Sequence, residues 1–143
     1  MPSRRPISAN ERTLPEVNTP KEKNNEALIA LVDDDQSFRE ALESLLKLIG
    51  FRTAIFASAR NFLDSPQLEN VSCAILDVSM PGMNGLELQR HLVAMRPIPI
   101  IFITDVRDAK TREQAVRAGA ISFLNKPVSE EILIDALNSA LRA

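Results

Sequence analysis

Asp33, Asp34, Asp77, Thr104 and Lys126 each stand at the downstream end of a short apolar run. The runs read Ala-Leu-Ile-Ala-Leu-Val into Asp33, Cys-Ala-Ile-Leu into Asp77, Ile-Pro-Ile-Ile-Phe-Ile into Thr104 and Ile-Ser-Phe-Leu-Asn into Lys126. If these runs are parallel strands, their carboxyl ends share the sheet edge at which open α/β folds bind ligands. Carboxylates placed together repel one another, and a hard cation such as Mg²⁺, which takes oxygen ligands, relieves the repulsion. A lysine adds a movable ammonium for a phosphate or carboxylate oxygen, and a threonine adds a hydroxyl donor. Metal and lysine together neutralise charge on a phosphoryl group in transfer, and a carboxylate can itself be the nucleophile. Each acid taken alone could be no more than a helix N-cap. Their joint placement at the downstream ends argues for a site.

The elements that would position these groups alternate along the chain. Phe38, Ala41, Leu42, Leu45, Leu46 and Ile49 follow helical spacing, and Gly50 ends the helix. Phe51–Phe56 is strand-like, Ser58 can cap a short helix through Phe62 and Leu63, and Val71–Leu76 is the next strand. Asn84 can cap a helix with Leu88, Leu92 and Met95 on one face; Ile98–Ile103 is a strand, and Asp108 can cap a helix ending near Gly119. Ile121–Leu124 is a last short strand, and Ser129 caps a final helix striped with Leu133, Ala136, Leu137, Ala140 and Leu141. This is a (βα)₅ pattern. Strands apolar on both faces indicate a parallel sheet covered by helices on each side, a doubly wound fold of three layers. The residues alone leave two common strand orders open; the flavodoxin-like five-stranded order 2-1-3-4-5 is our expectation.

Bulk properties narrow the function. The 143 residues suffice for one domain with a core. A net charge of −2 gives no reason to expect general nucleic-acid affinity, which needs a basic face, and no apolar stretch reaches the roughly 20 residues of a membrane helix. The single cysteine, Cys73, cannot form an internal disulfide, so a cytoplasmic setting is the default. It reads as a small buried hydrophobe. Residues 1–26 hold four of the nine prolines and few apolar side chains. They are expected to form a disordered tail before a domain over 27–143. His91 has no Cys or His partner and makes a poor metal ligand.

The motifs Val32-Asp33-Asp34-Asp35, Asp77-Val78-Ser79-Met80-Pro81-Gly82-Met83-Asn84-Gly85, Ile103-Thr104, Phe123 and Lys126-Pro127 resemble the receiver domain of two-component response regulators, in order and spacing. The surrounding detail is most similar to the FixJ-like branch. The resemblance covers Ala27 to the C-terminus, and the segment after Asp77 is its most specific part. It implies that Asp77 accepts a phosphoryl group from a histidine kinase. Asp33, Asp34, Asp77 and the backbone carbonyl of Ser79 would hold Mg²⁺. Lys126 would pair with the phosphate, Thr104 would swing to hydrogen-bond it, and Phe123 would turn inward as Thr104 moves. The resemblance further implies a cis Lys126–Pro127 bond. Such a phosphoprotein catalyses only its own phosphorylation and dephosphorylation and is not otherwise an enzyme. Phosphorylation-dependent homodimerisation would use the fourth helix and fifth strand, roughly residues 107–126. Two alternatives remain: an Mg²⁺-dependent phosphohydrolase with Asp77 as nucleophile, and a pseudo-receiver interaction module. The first lacks an acid at Ser79, two residues after the nucleophile. Asp105 departs from the family pattern, which has a small residue there. Its carboxylate would narrow the entrance and oppose an anionic donor.

Overall fold

In the computed structural model, which describes residues 26–142, five strands and five α-helices alternate. They are β1 (Leu28–Val32), α1 (Gln36–Ile49), β2 (Arg52–Phe56), α2 (Ala59–Leu63), β3 (Cys73–Leu76), α3 (Gly85–Met95), β4 (Ile100–Thr104), α4 (Ala109–Arg117), β5 (Ser122–Asn125) and α5 (Glu130–Arg142). A 3₁₀ turn over Pro66–Asn70, which the sequence pattern does not suggest, links α2 to β3. The expected tail over residues 1–26 lies, except for Glu26, outside the described residues. Every strand pair is parallel, and the sheet order is β2-β1-β3-β4-β5, as expected.

Side-chain alternation in the strands divides the core into two layers. Ile29, Leu31, Cys73, Ile75, Ile101 and Ile103 face α1 and α5, where Leu42, Leu46, Leu133, Leu137 and Ala140 meet them. Leu28, Ala30, Val32, Ala74, Leu76, Ile100 and Phe102 face the other way, against Phe62 of α2, Leu88 and Leu92 of α3 and Ala115 of α4. The sheet is buried on both faces, which is why its strands are continuous apolar runs.

Local signals set the helix ends. The Asp35 side chain accepts from Phe38 N at the start of α1, and Gly50 closes that helix with φ 115°. Such a left-handed turn suits glycine. Asn84 and Glu87 form a reciprocal capping box on α3. One expected face is different in the structure. Met95 is 57% exposed at the end of α3, whereas Gln89 is 1% exposed. The Gln89 amide donates to Ala115 O of α4 at 2.9 Å, so this buried polar group is satisfied and ties α3 to α4.

Candidate functional site

The register brings the acids together. Val32 is paired with Leu76, so the next residues, Asp33 and Asp77, leave neighbouring strands side by side. Asp33 N donates to Phe56 O and Asp77 N to Val32 O, which extends the ladder to the carboxylates themselves. Asp33 is 3% and Asp77 7% exposed, while Asp34 is exposed. Carboxylate oxygens of Asp33, Asp34 and Asp77 lie within 4.8 Å of one another. Asp33 Oδ1 accepts from Asp35 N at 2.9 Å, and Asp77 Oδ1 accepts from Ser79 N at 3.3 Å. Both downstream loops therefore fold back over the acids.

Lys126 completes the charge set. It follows β5, two strands away from β3, and its side chain reaches across to place Nζ 2.9 Å from Asp33 Oδ2 and 3.4 Å from Asp77 Oδ2. Asp33 Oδ2 is buried and receives no hydrogen bond of good geometry, so the near ammonium acts on it as a point charge. Burial pushes the Asp33 carboxyl above its ordinary value, outweighing the Asp35 N–H and Lys126, which oppose the rise. Burial alone would lower the Lys126 ammonium, but the Asp33 and Asp77 carboxylates together hold it above its ordinary value. A divalent cation suits this donor set: two buried carboxylates, a third at the rim, and an oxygen, Asp33 Oδ2, that lacks a directional partner.

Thr104 is fully buried at the end of β4, and its Oγ1 accepts from Val106 N at 3.2 Å. Its backbone is held to β5: Lys126 N and the Asn125 side chain both donate to Thr104 O, and Asn125 also donates to Val106 O. Arg107 donates to Lys126 O at 2.8 Å. Phe123 lies inward, 5% exposed, with its ring 5.8 Å from that of Phe102. The Arg112 guanidinium of α4 covers it from outside at 5.9 Å and donates to Phe123 O. The Lys126–Pro127 bond is cis, as the resemblance implies. Asp105 is exposed and lines a groove with Phe38, Leu42, Lys126 and Val128.

The five opening residues thus share one edge, with Asp34 at its rim. Sequence reasoning missed Asn125, Arg107 and Arg112, which tie the β4–α4 segment to β5. A polar residue at a strand end, in a loop or on an exposed helix face carries no periodic signal that would single it out. It also took Phe38 for a core residue only, although its ring lies 4.2 Å from Lys126 Nζ.

A five-stranded parallel sheet with two buried acids, a lysine and a buried threonine at its carboxyl edge defines a doubly wound domain with a charged site of receiver type. The response regulator receiver domain model matches residues 29–138, and the chain belongs to that family. It is 44% identical over 120 residues to the response regulator protein TmoT of Ectopseudomonas mendocina, covering 83% of this chain and 54% of TmoT. The solved response regulator StyR is 43% identical with a TM-score of 0.75, over 82% of this chain and 60% of that one. The FixJ-N structure is 31% identical with a TM-score of 0.73, over 81% of this chain and 94% of that one. The chain spans about half the length of the curated relatives it matches. Among the described residues no helix is long and apolar enough to cross a membrane.

Proposed function

We propose that the chain is a phosphoacceptor switch of a two-component system, with Asp77 as the residue phosphorylated by a histidine kinase in the cytoplasm. The observation that carries this reading is the Lys126 ammonium set between Asp33 and Asp77, at the one edge where β1, β3, β4 and β5 all end. An Asp77 carboxylate oxygen attacks the phosphorus of a phosphohistidine. The new O–P bond forms as the P–N bond breaks, and the imidazole leaves with its electron pair and takes up a proton. Lys126 stays within reach of the phosphoryl oxygens. Asp33, Asp34, Asp77 and the Ser79 backbone carbonyl would hold Mg²⁺, which supplies charge neutralisation on the phosphoryl oxygens when bound. Thr104 Oγ1 accepts from Val106 N, and the hydroxyl proton would donate to a phosphoryl oxygen. The protein catalyses only its own phosphorylation and the hydrolysis that reverses it.

The acyl phosphate adds up to about two negative charges at this edge. A shift of Thr104 toward them pulls on the Asn125, Lys126 and Arg107 bonds, and so on α4 and β5. Residues 107–126 then form the surface that engages a second copy or another partner. The receiver domain runs from residue 27. Acetyl phosphate with Mg²⁺, followed by intact mass and sizing, tests the reading. Wild type is expected to gain one phosphoryl group and Asp77→Ala none. Equal labelling of both would reject Asp77 as the acceptor.

A further inference from the structure

Lys126 has a difficult geometric task. Its ammonium must stand at the ends of β1 and β3, yet it leaves the chain beyond β5 and has to pass the end of β4. A four-carbon side chain loses much rotamer freedom when it is fixed in this way. Carboxylates attract the ammonium but do not direct it strongly, since Coulomb attraction changes little with angle. A second restraint is present. The Phe38 ring covers the ammonium with Nζ 4.2 Å from its centroid, and the Lys126 side chain is left 12% exposed.

That ring is itself fixed to the acids. Asp33 Oδ1 accepts from Asp35 N, and Asp35 Oδ1 accepts from Phe38 N. Arg39, the next residue, donates from its guanidinium to Asp33 O at 2.8 Å. The first turn of α1 is thus locked to the residue that also pairs with Lys126. Phe38 packs at the edge of the α1–α5 core layer, which holds the ring in place. The face of an aromatic ring attracts a cation, and more strongly where water is excluded.

We propose that Phe38 is a positioning residue for phosphoryl transfer: its ring face holds the Lys126 ammonium over Asp33 and Asp77, where the phosphoryl oxygens arrive. The inference rests on the phosphoacceptor reading and adds a residue to it. Nζ is already 3.4 Å from Asp77 Oδ2, so the ammonium meets the incoming group without searching for it. Leucine at this position would keep an apolar contact of similar size but remove the ring's negative face. Tyrosine would keep that face.

The test compares wild type, Phe38→Leu, Phe38→Met and Phe38→Tyr in the full chain with acetyl phosphate and Mg²⁺. Phosphorylation of Asp77 is expected to slow by about 3- to 10-fold in the Leu and Met variants and to stay within about twofold of wild type in Phe38→Tyr. A second readout needs neither turnover nor metal. In selectively labelled Mg²⁺-free protein, the Lys126 ε-methylene protons should be shifted upfield by the ring in wild type and Phe38→Tyr, but not in Phe38→Leu. Wild type lacking that upfield shift overturns the proposal whether or not any variant folds. So does a Tyr variant as slow as Leu, because the position would then act through shape alone. A wild type that takes no phosphate removes both the acceptor reading and the role of Phe38. A phosphorylated wild type matched in rate by Phe38→Leu removes the role of Phe38 alone.

Discussion

The side chains at the sheet edge divide the labour by burial. Asp33 and Asp77 are enclosed and Thr104 fully so, whereas Asp34 and Asp105 meet water. Asp105 shares its groove with Lys126 and Phe38, so an approaching anionic donor passes close to its charge. Removing a like charge beside an entrance raises the rate of association, most at low ionic strength. Asp105→Ala is therefore expected to speed phosphorylation by acetyl phosphate by about 2- to 5-fold in dilute buffer, with the gain fading as salt is added. Equal rates at every salt concentration would show that Asp105 has no bearing on entry. The residue types of this site were legible in the sequence because all five stand together at the downstream ends of apolar runs. The contact between Phe38 and Lys126 was not, since it joins positions 88 residues apart.

At the scale of elements, the β3–α3 connection is under the tightest constraint. Gly85 N donates to Val78 O at 2.8 Å, so the first residue of α3 turns back onto the segment that follows Asp77. A Cβ at Gly85 would run into the Asp77 backbone carbonyl, with the Phe102 ring 3.0 Å away. The carbonyl belongs to the strand end and cannot swing aside. Gly85→Ala is expected to destabilise the fold by about 1–3 kcal/mol in urea unfolding, the usual range for overpacking. It should also slow Asp77 phosphorylation, because α3 must move off the acceptor. An alanine variant equal to wild type in both would show that the helix start gives way freely. The sequence pointed to the Asn84 cap immediately before Gly85. That glycine serves close approach, rather than a turn alone, follows only from where β3 and β4 lie.

Across the whole molecule, two core layers enclose the sheet, and Cys73 sits in the middle of one of them, 0% exposed. Burial pushes its thiol up to about 12 from its ordinary value of 9.0. The folded state keeps the proton that the unfolded chain releases, so this contribution to stability is complete below pH 9.0 and is lost as pH rises toward about 12. Wild type should lose stability over that alkaline range faster than Cys73→Ala, as read by urea midpoints. At neutral pH, a thiol reagent should modify Cys73 only at the rate at which the core opens. Prompt labelling of native protein would contradict the burial. The sequence by itself determined the alternation of strands and helices, the two-faced burial of the sheet and the identity of the polar residues at its edge. These are local matters of periodicity, capping and turn chemistry. Tertiary structure decided the strand order and the Val32–Leu76 register that sets Asp33 beside Asp77. It also decided the reach of Lys126 across the end of β4 and the ring that covers it. Such contacts join residues distant along the chain, and packing fixes them only when both core layers close on the sheet.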